Sequence, residues 1–544
     1  MEPRRPRALE AGLFLLVVAL PLAFFPLSEA AFVDVKLLVL AVGTLLVWWS
    51  GLAVDRRLVP PALALAVSLG LAAIFGVDRA ASLVGDLRPT GLTMLACAIA
   101  LVVVAPSIPD DLLDRARGWV VGAAATAALV VLVEHVAPDL LAALAEDESF
   151  RGATLGNPVL LAGFLAVAIP AALARSDEPR WRTVLVFAAL GSAFALLGER
   201  SAYLLPPVAF LAAWWFVRPE RRRLLLAGGV MTLALAAWIA APELSSESEG
   251  TDPGRVAVQF GTFAAEQDRI AVWGAQTRAI IDRPLLGWGP GNEWSAFVTS
   301  ATEGQIETAT RYWADAHNLV IEIGVIAGLA GIAAFAWLLV RLVPRTARPR
   351  RARAWAAASA ATLAAYSLYE PIDVTLTSLM LLLAGAAATE TAAATEPAGG
   401  RRSRGWARAG VLAVLVTATA IAGIGLASSG LEQWGRTHFG SRWALERAWA
   451  IAPWRISAGE ALAVELALDG RSGDEDAAAE ARDVVDRLVD AHPRNPGIRL
   501  LAADVELLLR NFPETQAWIR RHREVFPNDD VRVPSEEPGF TTDP

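Results

Sequence analysis

The sequence predicts an all-α fold: a polytopic membrane helix bundle of about 12–13 spans, a large outward-facing loop and a C-terminal soluble α-helical repeat domain. Of its 544 residues, 55% are hydrophobic and only 19% are charged, and the mean hydropathy is +0.44. That apolar content exceeds what one water-facing core can bury. Apolar runs of about 20 residues, long enough to cross a bilayer as helices, recur from Leu9 to Ser428. After them the composition changes abruptly to a soluble helical pattern.

The apolar runs fall into two blocks, at residues 1–241 and 317–429, on either side of a long polar loop at 242–316. A loop of this length in a compact architecture is either functional or disordered, and its tryptophans and helical spacing favour order. The spans are expected at residues 9–27, 31–51, 58–76, 90–106, 117–137, 157–174, 183–199, 201–217, 222–241, 317–341, 354–370, 373–393 and 409–429.

Arginines predict the orientation of the bundle. They concentrate in every second connection, as in Arg56-Arg57, Arg221-Arg222-Arg223 and Arg401-Arg402. Short basic loops stay on the cytoplasmic side, so the N-terminus is expected there and the long loop outside. An odd number of spans also places the C-terminal tail outside. Although the net charge is −8, the positions of the basic residues indicate the topology of the bundle. No nucleic-acid partner is expected.

The tail, residues 430–544, has the pattern of paired amphipathic helices that end in proline-containing turns. Pro493 and Pro527 are separated by the period of tetratricopeptide repeats, about 34 residues. Such repeats could bind a protein or a glycan partner. A plain helical cap without a binding role is the alternative.

Three residues on the predicted outer face are candidates for catalysis. Arg200 lies between two apolar runs, and an ionisable group at such depth suggests function, although an arginine that reaches the membrane surface is the alternative. Arg269 belongs to a predicted helix of the loop and could equally be a solvated charge. The planar donor fork of arginine fits phosphate oxygens. His317 begins a span and could accept a proton near neutral pH, or be a structural histidine.

Further loop residues are candidates for substrate binding. Trp273 follows Arg269 by one helical turn, and Arg278 lies in the same helix. Gly289 and Gly291 belong to a Gly-Trp-Gly-Pro-Gly turn whose backbone could approach a ligand closely. Asn318 could orient the preceding histidine. No metal is expected, because the sequence has no Asp-x-Asp pattern or clustered metal ligands and only one cysteine, and no cofactor is expected either.

Taken together, these motifs resemble the O-antigen ligase and polymerase superfamily. The resemblance rests on the stretches Gly-Glu-Arg200-Ser-Ala-Tyr, Arg269-Ile-Ala-Val-Trp273, Pro284 to Asn292, and His317 to Gly328, in this order. It extends over about residues 9–389. The simplest ligases of this superfamily lack a C-terminal repeat domain. Its presence here argues against lipid A core as the acceptor.

The resemblance implies a metal-independent enzyme of the bacterial inner membrane with an extracytoplasmic active face. Such an enzyme would move an oligo- or polysaccharide from a polyprenyl-pyrophosphate donor to a hydroxyl of a lipid, glycan or protein acceptor. Arg200 and Arg269 would hold the pyrophosphate, and His317 would be the base for the acceptor hydroxyl. A single displacement predicts inversion at the anomeric carbon.

Four alternatives remain at this stage. A polymerase of repeat units and an oligosaccharyltransferase to protein hydroxyls belong to the same superfamily, and the sequence does not separate them from a ligase. A bicarbonate-type transporter should place ionisable residues near mid-membrane, often in paired broken helices. A membrane anchor for the repeat domain would leave the long loop unexplained.

Overall fold

The computed structural model describes residues 6–85, 90–137, 140, 150–174, 179–240, 264–308, 316–343, 351–388, 401–438 and 441–529. Every regular element within these ranges is helical, as the sequence predicts. Before the long loop the helices are α1 (Pro6–Phe14), α2 (Leu20–Leu22), α3 (Asp34–Trp49), α4 (Val59–Phe75), α5 (Arg79–Val84), α6 (Leu92–Val104), α7 (Asp110–Val136), α8 (Pro158–Leu173), α9 (Arg180–Leu197), α10 (Arg200–Ala212) and α11 (Arg221–Ala240).

The long loop is itself helical over much of its described part, with α12 (Ala264–Asp282), α13 (Glu293–Ser300) and α14 (Glu303–Thr308). The second apolar block contains α15 (Leu319–Leu342), α16 (Arg351–Tyr366), α17 (Leu376–Ala387) and the long α18 (Arg401–Thr437). The tail folds into α19 (Arg442–Ile451), α20 (Ile456–Arg471), α21 (Glu475–Ala491), α22 (Pro496–Leu508) and α23 (Phe512–Val525).

Each predicted span overlaps, in its described part, with one of these helices or with a short succession of them. Among the residues that the structure describes, four helices could cross a membrane by length and composition alone: α7, α9, α15 and the Ala407–Thr437 part of α18. Five further apolar helices are shorter, between 10 and 17 residues. These findings support a membrane protein, while the full count of about 12–13 spans remains a prediction.

Helix α8 is the buried centre of the membrane part. All of its residues from Leu161 to Leu173 are buried, because the helix is apolar on every face and other helices cover each of them. It begins at Asn157, whose side chain accepts the Val159 N–H at 2.8 Å, and proline occupies the first helical position. Helices α7, α10 and α16 pack around it.

Helix α15 is broken by the long loop. Gly328 adopts φ +63°, a left-handed conformation that glycine tolerates, and the loop packs beside the break. There the Leu329 N–H donates to the Pro284 carbonyl at 2.8 Å, and the Trp288 N–H donates to the Val325 carbonyl at 2.7 Å. The loop thus pairs backbone groups beside the interruption, which a membrane helix requires. The continuous span expected over residues 317–341 is therefore interrupted.

The C-terminal helices pack in succession, α20 against α21 and α22 against α23, around a common apolar core. The arrangement is that of stacked helix pairs, and their assignment to tetratricopeptide repeats remains a prediction. Helix α18 leads into them without interruption as far as Thr437.

The C-terminal helices lie against the same end of the bundle as the long loop, here called the loop end. His492 pairs with Asp78 in the connection after α4, and Asn528 Nδ2 donates to the Ala301 carbonyl at 2.8 Å. Phe526 is fully buried in an apolar cluster with α12 and α13. The long loop and the tail therefore share one face of the bundle. Which side of a membrane that face occupies remains a prediction.

Candidate active site

Three chain segments meet at one corner of the loop end. They are the first turns of α12, residues 316–318 ahead of α15, and residues 367–370 after α16. Two hydrogen bonds join the last two segments: Leu319 N–H donates to the Ser367 carbonyl at 2.8 Å, and the Asn318 amide donates to the Leu368 carbonyl at 3.0 Å. The start of α15 is thereby fixed against the end of α16.

A buried carboxylate, that of Glu370, connects two of the predicted catalytic residues. Its Oε1 accepts a hydrogen bond from Arg269 Nη2 at 3.3 Å, and its Oε2 lies 3.3 Å from His317 Nδ1. Arg269 Nη1 also donates to the Tyr369 carbonyl at 2.9 Å. The side chain of Glu370 is only 7% exposed, whereas those of His317 and Arg269 are 21% and 30% exposed. The carboxylate is therefore enclosed, while the imidazole and the guanidinium are partly exposed.

The backbone of His317 is held in an unusual conformation. Its φ is +47°, in the left-handed region that residues other than glycine rarely adopt. On one side, Trp273 Nε1 donates to the Ala316 carbonyl at 2.8 Å. On the other, the Asn318 side chain caps α15 by accepting the Val320 and Ile321 N–H groups. Such strain persists only where neighbouring contacts impose it, and it is concentrated at functional sites.

The contact with Glu370 determines what the imidazole can do. When His317 Nδ1 carries the proton, it donates to the carboxylate, and Nε2 is then the nitrogen with a lone pair. A carboxylate behind one imidazole nitrogen fixes the tautomer and the orientation of the ring. The pair therefore has the arrangement of a general base with an orienting carboxylate.

Glu370 is not among the residues that the sequence singles out, although it lies where the expected span 354–370 ends, just before the span at 373–393. A carboxylate in a short connection between two spans was the available signal. Behind it, the buried Glu322 accepts the Ile372 N–H at 2.8 Å and fixes the far side of the connection.

The other predicted catalytic residue, Arg200, is the first residue of α10, directly after Glu199. Its side chain lies outside the described part of the structure, so its role beside Arg269 remains a prediction.

Two predicted substrate-binding residues make contacts within the protein. Arg278 Nε donates to the Ser300 carbonyl at 2.8 Å and its guanidinium also contacts Gln305, so it ties α12 to α13 and α14. Asn318 uses its oxygen for the cap and its amide for the Leu368 carbonyl. These bonds account for both side chains structurally, and a role for either in substrate binding remains a prediction.

The glycine turn is buried rather than open. Gly289 and Gly291 have φ values of +97° and +74°, and a β-carbon on either would lie within 3 Å of Ser82 Oγ or the Ala81 carbonyl. Asn292 closes the turn, donating to Ser82 Oγ at 2.9 Å. These glycines allow a close approach of protein to protein, and contact with a ligand remains a prediction.

Within the residues that the structure describes, no three His, Cys, Asp or Glu side chains are grouped so that they could hold a metal ion. The functional groups that meet at this corner are the imidazole of His317, the carboxylate of Glu370 and the guanidinium of Arg269.

The fold and the site together define an all-helical membrane protein with a histidine–carboxylate–arginine cluster at the loop end. Comparison with protein families then matches residues 184–336 to the family described as O-antigen ligase. The matched stretch includes Arg200, Arg269 and His317, ends before Glu370, and covers less than a third of the chain. A search of the curated proteins found no match. The family match supports the resemblance to the O-antigen ligase superfamily and an O-antigen ligase-like membrane glycosyltransferase.

Proposed function

We propose that the protein transfers an oligo- or polysaccharide from a polyprenyl-pyrophosphate carrier to a hydroxyl group of a surface acceptor. The observation that carries this proposal is the Arg269–Glu370–His317 cluster at the loop end. It combines a candidate base with a candidate phosphate ligand, and both residues lie in the stretch that matches the O-antigen ligase family.

His317 is the proposed base. Its Nε2 takes the proton of the acceptor hydroxyl while Nδ1 remains directed at Glu370. The buried carboxylate stabilises the imidazolium that forms, because the opposite charges lie close together where water has little access.

Arg269 is proposed to bind the leaving group. Of the five N–H donors of a guanidinium, one bonds to Glu370 and one to the Tyr369 carbonyl, so others remain for phosphate oxygens. Arg200 is proposed as the second phosphate ligand. Positive charge at that point stabilises the negative charge that develops on the departing pyrophosphate.

The proposed reaction is one displacement. The acceptor oxygen forms a bond to the anomeric carbon as the bond from that carbon to the phosphate oxygen breaks, and the pyrophosphate leaves with the electron pair. The proton passes to His317, and no metal takes part in this scheme. A single displacement inverts the anomeric configuration, so a product that retained the donor configuration would contradict the scheme.

The test is glycan transfer in proteoliposomes that contain a polyprenyl-pyrophosphate glycan pool and candidate acceptors. Wild type should release polyprenyl pyrophosphate, and His317→Asn and Arg200→Ala should abolish the release. His438→Asn, at an exposed histidine beyond the site, is the matched control. Normal turnover in both site variants would remove the site assignment, and the acceptor found in the product distinguishes a ligase from a polymerase or a protein glycosyltransferase.

We also propose that the loop end faces the extracytoplasmic side of a bacterial inner membrane and that the N-terminus is cytoplasmic. The arginine-rich connections support this orientation. The C-terminal helices would then be at the same surface as the acceptor, where they could contact a protein or glycan partner.

A further inference from the structure

The seam between the C-terminal helices and the membrane part has an excess of positive charge. The turn between α21 and α22 lies against the connection after α4: His492 pairs with Asp78, and Gly497 packs against the Trp294 ring. Four arginines, here called the arginine seam, lie along this contact: Arg79, Arg283, Arg494 and Arg499.

Several contacts bring these arginines together. Arg79 follows Asp78, and Arg494 comes two residues after His492, so the buried pair brings the backbone at both arginines to the seam. Arg499 Nε donates to the Pro493 carbonyl at 2.9 Å. The guanidinium of Arg283 stacks over the Trp288 ring, 4.9 Å from its centroid.

The charge of the arginine seam is poorly compensated. Among the described residues, none of the four arginines forms an ion pair, and Asp78 is already occupied by His492 and by the Ala81 N–H. Burial and the neighbouring Arg494 lower the pKa of both Arg283 and Arg499, and Glu524 offsets only part of this at Arg499. Like charges held together with so little compensation favour an anionic ligand.

Exposed apolar side chains border the arginine seam. Arg79 Nε donates to the Ile74 carbonyl at the end of α4, and Ile74 and Phe75 are both exposed there. Leu285, two residues after Arg283, is 73% exposed. Arginine beside exposed apolar side chains at the end of a membrane helix is typical of the level of lipid headgroups.

We propose that the arginine seam binds the phosphate of an anionic lipid headgroup. The site is separate from the candidate active site, because Arg269 and Arg283 are about 20 Å apart along α12 at ~1.5 Å per residue. A lipid bound there would contact both the membrane part and the C-terminal helices and would hold them together.

The experiment measures lipid binding to the full chain in a micelle of neutral detergent, by native mass spectrometry, without any glycan donor. Wild type should bind phosphatidylglycerol about tenfold more tightly than phosphatidylcholine. The Arg283→Gln/Arg494→Gln double variant should lose at least about tenfold in phosphatidylglycerol affinity, since each arginine near a membrane surface contributes about fivefold. The charge-matched Arg447→Gln/Arg471→Gln variant, at exposed arginines of α19 and α20, should bind as wild type does.

Arg494→Gln alone provides a second variant, because this side chain is exposed and forms no hydrogen bond or ion pair with another described residue. Its expected loss is about fivefold. Equal affinity of wild type for the two lipids, or equal phosphatidylglycerol affinity in wild type and the double variant, would overturn the proposal. Displacement of phosphatidylglycerol by an equimolar amount of inorganic phosphate would overturn the assignment to a lipid. Because no donor is present, the result is independent of the proposed transferase activity.

Discussion

Two clusters of arginine and carboxylate lie at the loop end, and they differ in how they are closed. The first is the site cluster of Arg269, Glu370 and His317. The second, here called the docking cluster, joins the tail to the bundle: Arg455 Nη1 lies 3.2 Å from Asp34 Oδ1, and its Nη2 lies 3.3 Å from Glu432 Oε2.

The docking cluster is sealed. The Glu432 side chain is fully buried and also accepts a hydrogen bond from Ser457 Oγ at 2.9 Å, while Arg455 and Asp34 are each only 14% exposed. The site cluster instead exposes its histidine and its arginine, and its histidine has a strained backbone. The two clusters use the same kinds of charged group, but those of the docking cluster enclose one another, whereas the histidine and the arginine of the site cluster are partly exposed.

The largest effect is expected at the proposed proton acceptor, His317. His317→Asn should lower the initial transfer rate at least about 100-fold, because asparagine tolerates the left-handed backbone but cannot accept the proton. The rate in proteoliposomes is compared with that of His438→Asn at matched protein amounts. A rate within twofold of wild type would show that the site cluster, like the docking cluster, has only a structural role.

A smaller loss is expected when the carboxylate of the site cluster is neutralised. Glu370→Gln keeps the shape of the side chain but removes the charge that orients and stabilises the imidazolium, so transfer should fall by about 10- to 100-fold. Glu303→Gln, at an exposed position of α14, is the control. An unchanged transfer rate at neutral pH would mean that Glu370 positions Arg269 and has no role in orienting or stabilising the imidazole of His317.

In the docking cluster the expected loss is in stability. Arg455→Met removes the guanidinium that pairs with Asp34 and Glu432 and leaves Arg436 as the remaining ion-pair partner of Glu432; breaking a buried ion pair costs about 3 kcal/mol. The melting temperature of the full chain should fall, while the transfer rate per folded molecule stays within about twofold of wild type. Arg447→Met, at an exposed position of α19, should melt as wild type does.

The smallest effect concerns Glu29, which borders the docking cluster 3.7 Å from Arg455. Burial, and next the charges of Glu432 and Asp34, raise the pKa of Glu29. A raised pKa stabilises the fold below the ordinary value and loses that contribution as the pH rises through the folded value. Glu29→Gln should therefore be more stable than wild type at pH 7, by less than about 1 kcal/mol because Glu29 is partly exposed.

Melting temperatures measured across the pH range test this sign. The difference between Glu29→Gln and wild type should disappear near pH 4, where the native carboxyl is protonated in the folded and unfolded chains alike. A variant that is less stable than wild type at pH 7 would mean that the ion pair with Arg455 outweighs the burial of Glu29.

The two clusters also show what the sequence could predict. The helices follow from apolar runs, which are local, so each predicted span coincides with helical structure. The cap of α15 also had a local signal, since Asn318 directly precedes an apolar run. Residue type and position make His317 and Arg269 candidates, and the resemblance to a family implies their roles.

The remaining features depend on contacts between distant residues. Glu370 lies 53 positions after His317, and no pattern in either segment specifies that contact. The break of α15 at Gly328 depends on the loop around Pro284 packing beside it. Arg278 belongs to a helix whose neighbours, α13 and α14, satisfy its donors, which the periodicity of α12 alone does not reveal.

The most direct test measures the initial rate of glycan transfer in proteoliposomes for His317→Asn and Arg455→Met, each at the same amount of folded protein and well below its melting temperature. If the site cluster takes part in the reaction and the docking cluster is structural, the transfer rate of His317→Asn should be at least about 100-fold lower than that of wild type. The rate of Arg455→Met should then lie within about twofold of wild type. Equal rates in the two variants, whether both normal or both abolished, would contradict that distinction.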